Sequence, residues 1–379
     1  MFQGIEIRNF GAFAPKGQIV PLGDLTYIVG PNNSGKSTIL SAYFALASLS
    51  SRQGMNLPPV NSPINSSTMG RLSQPFFSDN DFNIMRLSDL LKFHSGEDAS
   101  YAKANNGPIL IRVHGTFDKV ESALTLRLDE FPSFQTYNII LEGKEAGRRG
   151  LYSALQNTWI FPSYRTFAGP SLQVGTHRVN NINFGLDGSN MIQFLLERYT
   201  SRDDKWSIAE SWLKRVDPNI GILKSPLKGL SASVETGINL DGASFDVNIA
   251  QSGSGLQRAL QIICAIVFSP SNSVILIEEP EMNLNPAAQE ILVDLFNTAV
   301  NQWQKQIIVT THSWDMILEA YSDIGPQSNG RGKDHVATNA ESFRLVKLSS
   351  PDGCVYAESY DLRTKKFDQL KIDFKRSLG

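Results

Sequence analysis

The sequence predicts an α/β protein: a mainly parallel sheet sandwiched by helices, with a small antiparallel β lobe and a helical insertion. Three observations carry that expectation. Leu25–Val29 runs into a glycine-rich loop and a helix, residues 274–277 are wholly apolar and end in acids, and residues 306–310 repeat that plan. Strands buried on both faces read as continuous apolar runs, and alternation with helices makes a parallel sheet covered on both sides.

In chain order, Ile5 and Ile7 alternate with polar neighbours, as in a half-buried strand. Residues 18–20 form a second strand and Leu25–Val29 a third. A helix follows over 36–49, with Ile39, Leu40, Phe44 and Leu46 as its apolar positions. Residues 51–81, rich in Ser, Asn, Pro and Gly, read as loop. Ile109–Phe117, 123–128 and 137–141 are short strands separated by turn residues, the expected antiparallel lobe, and 159–161 is another strand. Residues 191–199 and 208–216 are amphipathic helices, with Ser189 or Asn190 to cap the first and Pro218 after the second. A helix over 256–268, the strand 274–277, a helix over 287–300 begun by Pro286, the strand 306–310 and a helix over 313–321 complete the repeating part. Two terminal strands follow at 342–348 and 355–360. The expected organisation is one discontinuous domain over 1–379. It divides into a phosphate-loop half (1–50), a polar insertion (51–108), the β lobe (109–165), the helical insertion (185–222) and a half holding the remaining motifs (223–379).

The chain has 379 residues, of which 41% are hydrophobic and 19% charged, an ordinary globular balance with enough length for a large core. Two cysteines, Cys264 and Cys354, exclude a disulfide framework and a Cys-rich zinc module and fit a reducing compartment. A net charge of −2 excludes wholesale electrostatic attraction to nucleic acid and leaves room for a local basic patch. Glu6 and Arg8 stand where a leader would be apolar, and the longest apolar run, 262–268, falls short of the roughly 20 residues that cross a bilayer. A cytoplasmic, soluble chain without membrane contact is expected.

The strongest motif is Gly30-Pro31-Asn32-Asn33-Ser34-Gly35-Lys36-Ser37, between a strand and a helix. It fits G-x-x-x-x-G-K-[ST]: glycines let backbone N–H groups turn inward on a polyphosphate, and the helix N-terminus adds partial positive charge. Lys36 is expected at the β- and γ-phosphates and Ser37 on Mg²⁺, with Thr38 following at the helix start. The strand at 274–277 ends in Glu278-Glu279-Pro280-Glu281, at the edge where open α/β sheets bind ligands. Glu278 is placed to hold Mg²⁺ through water, and Glu279 to orient and deprotonate an attacking water. By themselves these acids could equally begin a solvated helix. Thr310-Thr311-His312-Ser313 ends the next strand, and His312 could touch the γ-phosphate. Ser252-Gly253-Ser254-Gly255 opens the helix over 256–268; it reads equally as a glycine-rich cap or as a second anion site, closing over a γ-phosphate held by another subunit.

In this order the motifs resemble the ABC-type ATPase heads, which are P-loop NTPases. Gly30-Pro-Asn-Asn-Ser-Gly-Lys-Ser-Thr38, Glu278-Glu-Pro-Glu-x-x-Leu-x-Pro286 and Thr310-Thr-His-Ser313 are similar to the OLD-like and RecF-like, SMC-related branch. So are Ile5-x-Ile-Arg-Asn-Phe-Gly-x-Phe13 and Trp159-Ile-Phe-Pro-Ser-Tyr-Arg165. The resemblance covers about 1–49 and 225–320 well and the middle loosely. The chain departs from the pattern in having Ser-Gly-Ser-Gly for Leu-Ser-Gly-Gly-Gln, Asn285 where the branch often has His, no assignable Q-loop glutamine and no coiled-coil arms. An OLD nuclease carries a Toprim domain with a Glu and an Asp-x-Asp metal cluster after the His; the 67 residues here are too few for it and hold no Asp-x-Asp.

The resemblance implies ATP and Mg²⁺ as cofactors and Glu279, His312 and Lys36 as catalytic residues. Gly30, Pro31, Asn32, Asn33, Ser34, Gly35, Lys36, Ser37, Thr38, Ser252, Gly253 and Gly255 would bind nucleotide, and Ser37 and Glu278 the metal. It also implies a homodimer around two ATPs and a separate effector, a nuclease or toxin, in anti-phage defence or DNA repair. A RecF-like ATP-gated DNA clamp is the alternative, and a transporter's energising subunit a third. Arg148, Arg149, Lys371, Lys375 and Arg376 are the candidate basic contacts for DNA, and each reads more readily as a solvated charge.

Overall fold

The computed structural model describes residues 1–11, 13–14, 16–32, 34–49, 56–63, 66–71, 108–129, 136–163, 172–173, 191–228, 231–240, 243–322, 343–350 and 355–360. Asn33, Ser189, Asn190, Tyr164, Arg165, Cys354, Lys371, Lys375 and Arg376 lie outside them. In chain order the elements are β1 (Phe2–Arg8), β2 (Gln18–Pro21), β3 (Leu25–Val29), α1 (Lys36–Ala47), β4 (Ser66–Arg71), β5 (Ile109–Phe117), β6 (Val120–Asp129), β7 (Thr136–Gly143), α2 (Glu145–Gln156) and β8 (Thr158–Phe161). There follow β9 (Leu172–Gln173), α3 (Met191–Thr200), α4 (Lys205–Val216), β10 (Ile220–Lys224), β11 (Leu227–Lys228), β12 (Ser231–Ala232), β13 (Glu235–Leu240), β14 (Ala243–Asn248) and α5 (Ser254–Phe268). The chain continues through β15 (Val274–Glu278), α6 (Pro286–Asn301), β16 (Gln306–Thr311), α7 (Trp314–Ser322), β17 (Phe343–Ser349) and β18 (Tyr356–Tyr360). It divides into two compact units, Met1–Thr158 with Ala340–Gly379, and Trp159–Asn339.

The first unit holds a six-stranded antiparallel sheet in the order β2-β1-β5-β6-β7-β4. The three strands expected over 109–141 therefore continue the N-terminal strands, with Ile7 opposite Ile111 and Leu126 opposite Ile139. Every second residue of β5 is buried, as one covered face requires. That face meets α2, and Phe2 stacks edge-on to Tyr43 of α1, with ring centroids 5.7 Å apart. β3 is buried throughout and pairs in parallel with β17, Leu25 opposite Phe343, and β18 returns antiparallel to β17.

Two elements of this unit escape sequence reading. β4 lies in the polar stretch read as loop; its side chains alternate between half-buried and exposed, and its backbone pairing with β7 holds it in place. α2 contains Gly147 and Gly150, poor helix formers that obscure the pattern. They are there because the helix lies close on the sheet: a Cβ at Gly147 would fall 2.3 Å from Ser122 Oγ, and one at Gly150 2.6 Å from Phe117 Cβ.

Arg148 is not a solvated basic residue available to DNA. It is 1% exposed and donates to the carbonyls of Gly143 (2.7 Å), Ser62 (2.7 Å) and Pro63 (2.8 Å), tying the segment before β4 to α2. Its neighbour Arg149 is exposed and paired with Glu145 one turn earlier. Arg148→Ala should therefore cost about 3 kcal/mol or more of unfolding free energy, since it leaves several buried acceptors unpaired. Arg148→Lys should recover only part, because an ammonium cannot fork as a guanidinium does. Urea titrations of both variants check this, and an unchanged Arg148→Ala midpoint would remove the arginine's structural role.

The second unit carries the strands β16-β15-β8 in that order, with β15 and β16 parallel and Glu278 opposite Thr310. Both are buried throughout, as their apolar runs predict. α5 is buried over most of its length, including Cys264, whose thiol burial pushes well above its usual range. Lys305, also buried, closes the C-terminal end of α5 by donating to the carbonyls of Ile266 and Ser269. The short strands over 220–248 went unread, although β14 alternates apolar and polar residues from Ala243 to Asn248; four of its six residues are exposed.

Candidate functional site: a phosphate loop and a glutamate–histidine edge

In the first unit, buried β3 delivers Gly30 to the loop and α1 starts at Lys36. Gly35 sits at φ +91°, the left-handed region that glycine tolerates, and a Cβ there would meet Val355 Cγ2 at 2.9 Å. A Cβ on Gly30 would lie 2.5 Å from Ser34 Oγ and 2.6 Å from the Leu348 carbonyl, so the loop closes only with glycine. Lys36 is 7% exposed; its Nζ donates to the carbonyls of Gly30 (2.9 Å) and Pro31 (2.8 Å), folding the ammonium over the loop. Pro31 and Asn32 are exposed. Ser34 Oγ is buried with no hydrogen-bond partner, an unused donor within the loop. No side chain caps α1 and no acid stands in its first turn, so the helix itself places no negative charge against its N–H groups and dipole. Ser37 follows Lys36 half-buried, and its carbonyl accepts from Ser41 Oγ. Thr38 is buried and packs on Gly11, where a Cβ would fall 2.6 Å from its methyl. These residues fit a polyphosphate: a glycine cradle, a lysine, an orphaned hydroxyl and an uncapped helix start.

In the second unit, parallel β15 and β16 end at one edge. Glu278 is 6% exposed, and its Oε2 accepts from Ser163 N (3.0 Å) and Ser163 Oγ (3.2 Å). Glu279 has φ +47°, a conformation that costs a non-glycine residue about 1 kcal/mol or more. Its N–H donates to the Thr310 carbonyl (2.8 Å), and the turn brings Glu279 Oε1 to 3.4 Å from His312 Nε2. Both side chains stay reachable, at 29% and 26% exposed. The fold thus brings together the acid and the histidine that the sequence singles out 33 positions apart.

Sequence reasoning gave no role to Arg258, Ser163 or Glu281. Arg258 is 5% exposed and donates to the carbonyls of Pro162 (2.8 Å) and Glu278, joining α5 to the end of β15. Burial pulls its guanidinium down to about 10, against the opposing pull of Glu278, Glu281 and Glu279. A polar residue one turn into an apolar helix was the available signal.

Ser252, Gly253 and Gly255 stand at the start of α5. Ser252 Oγ donates to the Ile249 carbonyl (2.7 Å), no side chain caps the helix, and no heavy atom stands within 4 Å of where a Gly253 Cβ would be. Gly255 has a packing reason of its own, because a Cβ would fall 2.2 Å from the Asn283 carbonyl. By contrast α6 is capped: Asn285 Oδ1 accepts from Ala288 N at 2.8 Å.

Fold and motifs define an ABC-type P-loop ATPase head. The chain belongs to the AAA_21 family, described as "AAA domain, putative AbiEii toxin, Type IV TA system", whose match covers residues 106–319, more than half of the chain. It is similar to a solved Smc head bound to the C-winged helix domain of ScpA, at 15% identity over 95% of this chain and 98% of that one, with a TM-score of 0.57. A Pyrococcus furiosus Smc head with an extended coiled coil, bound to the C-terminal domain of ScpA, gives 14% identity over 98% and 99%, with a TM-score of 0.58. Identities this low show the fold alone. Among curated proteins it is similar to the energy-coupling factor transporter ATP-binding protein EcfA2 of Mycoplasma capricolum, at 25% identity over 122 residues, 31% of this chain and 41% of that protein. EcfA3 of Oenococcus oeni is 25% identical over 160 residues, 42% and 50% respectively. The chain therefore matches half or less of these relatives' length. Among the described residues, no helix is long and apolar enough to cross a membrane.

Proposed function

We propose that the chain is an ATP-hydrolysing head that dimerises around Mg²⁺-ATP and acts as the switch for a separate effector, a nuclease or toxin, in anti-phage defence or DNA repair. The observation that carries hydrolysis is Glu279 in a left-handed turn, 3.4 Å from His312 at the shared end of β15 and β16. A strained, partly exposed acid beside a histidine suits proton transfer from water. Gly30 to Ser37 would wrap the phosphates, Lys36 neutralise the β- and γ-oxygens, and Ser37 and Glu278 hold the metal. When bound, Mg²⁺ would supply charge neutralisation on the phosphate oxygens. Glu279 would accept the proton of the attacking water, and His312 would orient Glu279 and contact the γ-phosphate. The family's description as toxin–antitoxin AAA domains supports the effector role, and the Smc neighbours, titled with ScpA bound, support a protein partner. The curated relatives favour a second reading, a transporter's energising subunit. Salt-dependent DNA affinity of the purified chain would count against that reading.

Glu279→Gln tests the core of the proposal. It should bind Mg²⁺-ATP as wild type does and hydrolyse it about 10²-fold more slowly, because it removes the base and no phosphate contact. Phosphate release and nucleotide titration read the two quantities. A Glu279→Gln rate equal to wild type would overturn the assignment.

A further inference from the structure

Glu-Glu-Pro-Glu contains three acids, and the proposed chemistry uses two. The third, Glu281, lies in the turn after β15, and its carboxylate reaches the turn between β16 and α7. Its Oε1 accepts the backbone N–H of His312 at 2.7 Å and that of Ser313 at 3.1 Å, while Oε2 is buried with no hydrogen-bond partner. Ser313 is held twice more: its N–H also reaches Thr311 Oγ1 (2.9 Å), and its Oγ donates to Gln289 Oε1 (2.8 Å) of α6. The strand end is thus clamped on both sides of His312, and among the described residues Glu281 is the side-chain acceptor on His312's own N–H. A carboxylate suits this task, since charge-assisted bonds to N–H are about twice as strong as neutral ones. Its negative charge is also matched by Arg258, whose charged form it favours.

We propose that Glu281 is the positioning residue for His312: it fixes the histidine backbone so that Nε2 meets Glu279 at 3.4 Å. The inference rests on the hydrolytic reading of Glu279 and His312, and deepens it. Glu281 acts through the histidine, by accepting its backbone N–H. Its working atom is one acceptor oxygen, so glutamine, which keeps an acceptor there, should serve and alanine should not.

The test has two arms. The first needs no nucleotide: the full chain with isotope-labelled histidine is followed by NMR, the His312 signal being identified among five histidines by its loss in His312→Ala. Glu281→Ala should shift that signal, and Glu281→Gln should shift it less. The second arm is steady-state ATPase. Glu281→Ala should lower kcat about 10-fold with little change in KM, since a misplacement of about 1 Å can cost up to 10²-fold. Glu281→Gln should keep most of kcat, and Glu281→Ala with His312→Ala should be no slower than His312→Ala alone. An unmoved His312 signal in folded Glu281→Ala, additive losses in the double variant, or glutamine as damaging as alanine would each overturn the positioning role. If His312→Ala hydrolyses at the wild-type rate, the hydrolytic reading fails, and the NMR arm still decides whether Glu281 sets the histidine.

Discussion

Lys36→Ala is expected to abolish tight ATP binding. The lysine's Nζ already lies on the Gly30 and Pro31 carbonyls at 2.9 and 2.8 Å, so the ammonium is held at the loop before any phosphate arrives. Pre-placement matters because little side-chain entropy is left to lose on binding. Alanine removes the one full positive charge placed on the loop, and with it charge-assisted bonds worth about 1.5–3 kcal/mol each, so affinity should fall by roughly 10²-fold or more. It also frees two loop carbonyls, so circular dichroism and a denaturant midpoint must accompany the calorimetry. A folded Lys36→Ala chain with wild-type affinity would end the phosphate-loop assignment.

The second large effect is recovery of activity from two dead proteins. The N-terminus of α5 carries no side-chain cap and opens beside an unencumbered Gly253. A helix start of that kind suits an anion, and the phosphate loop would already wrap one side of a triphosphate. We propose that it serves the γ-phosphate held by the partner subunit, where its dipole and N–H groups act on the exposed face. Lys36→Ala and Ser252→Arg should then each be inactive as homodimers. Mixed, they form a heterodimer in which the Ser252→Arg subunit donates its phosphate loop and the Lys36→Ala subunit its serine. That site is intact, and its counterpart is doubly defective. ATPase rates across mixing ratios should therefore peak at intermediate ratios, once subunit exchange is confirmed by mass. Flat rates with heterodimers present would place Ser252 in cis. If ATP joins the subunits, Glu279→Gln by itself should accumulate dimers at saturating ATP.

Much of the fold is legible in the chain. β3, β15 and β16 are apolar runs, and each was read to within one residue because a strand buried on both faces leaves no other pattern. Where burial is partial the signal fades. β4 is held by backbone pairing, which its side chains do not record. α2 is disguised by two glycines whose purpose is close approach to the sheet. Arg148 and Arg149 look alike as letters, yet one is buried on three carbonyls and the other is paired with Glu145 in solvent.

The sequence alone determined the chemistry on offer: a glycine-framed lysine before a helix, two acids after a buried strand, a histidine after the next. Those are local facts, since glycine's freedom at φ +91° and the reach of a strand end are properties of a few consecutive residues. Tertiary structure decided which of them meet. Parallel pairing of β15 with β16 puts Glu279 within 3.4 Å of His312, and the clamp of Glu281 on the next turn fixes the histidine's place. Such contacts join residues about thirty positions apart, and their geometry depends on register, a left-handed turn and a buried hydrogen bond, none of which any short stretch of sequence specifies.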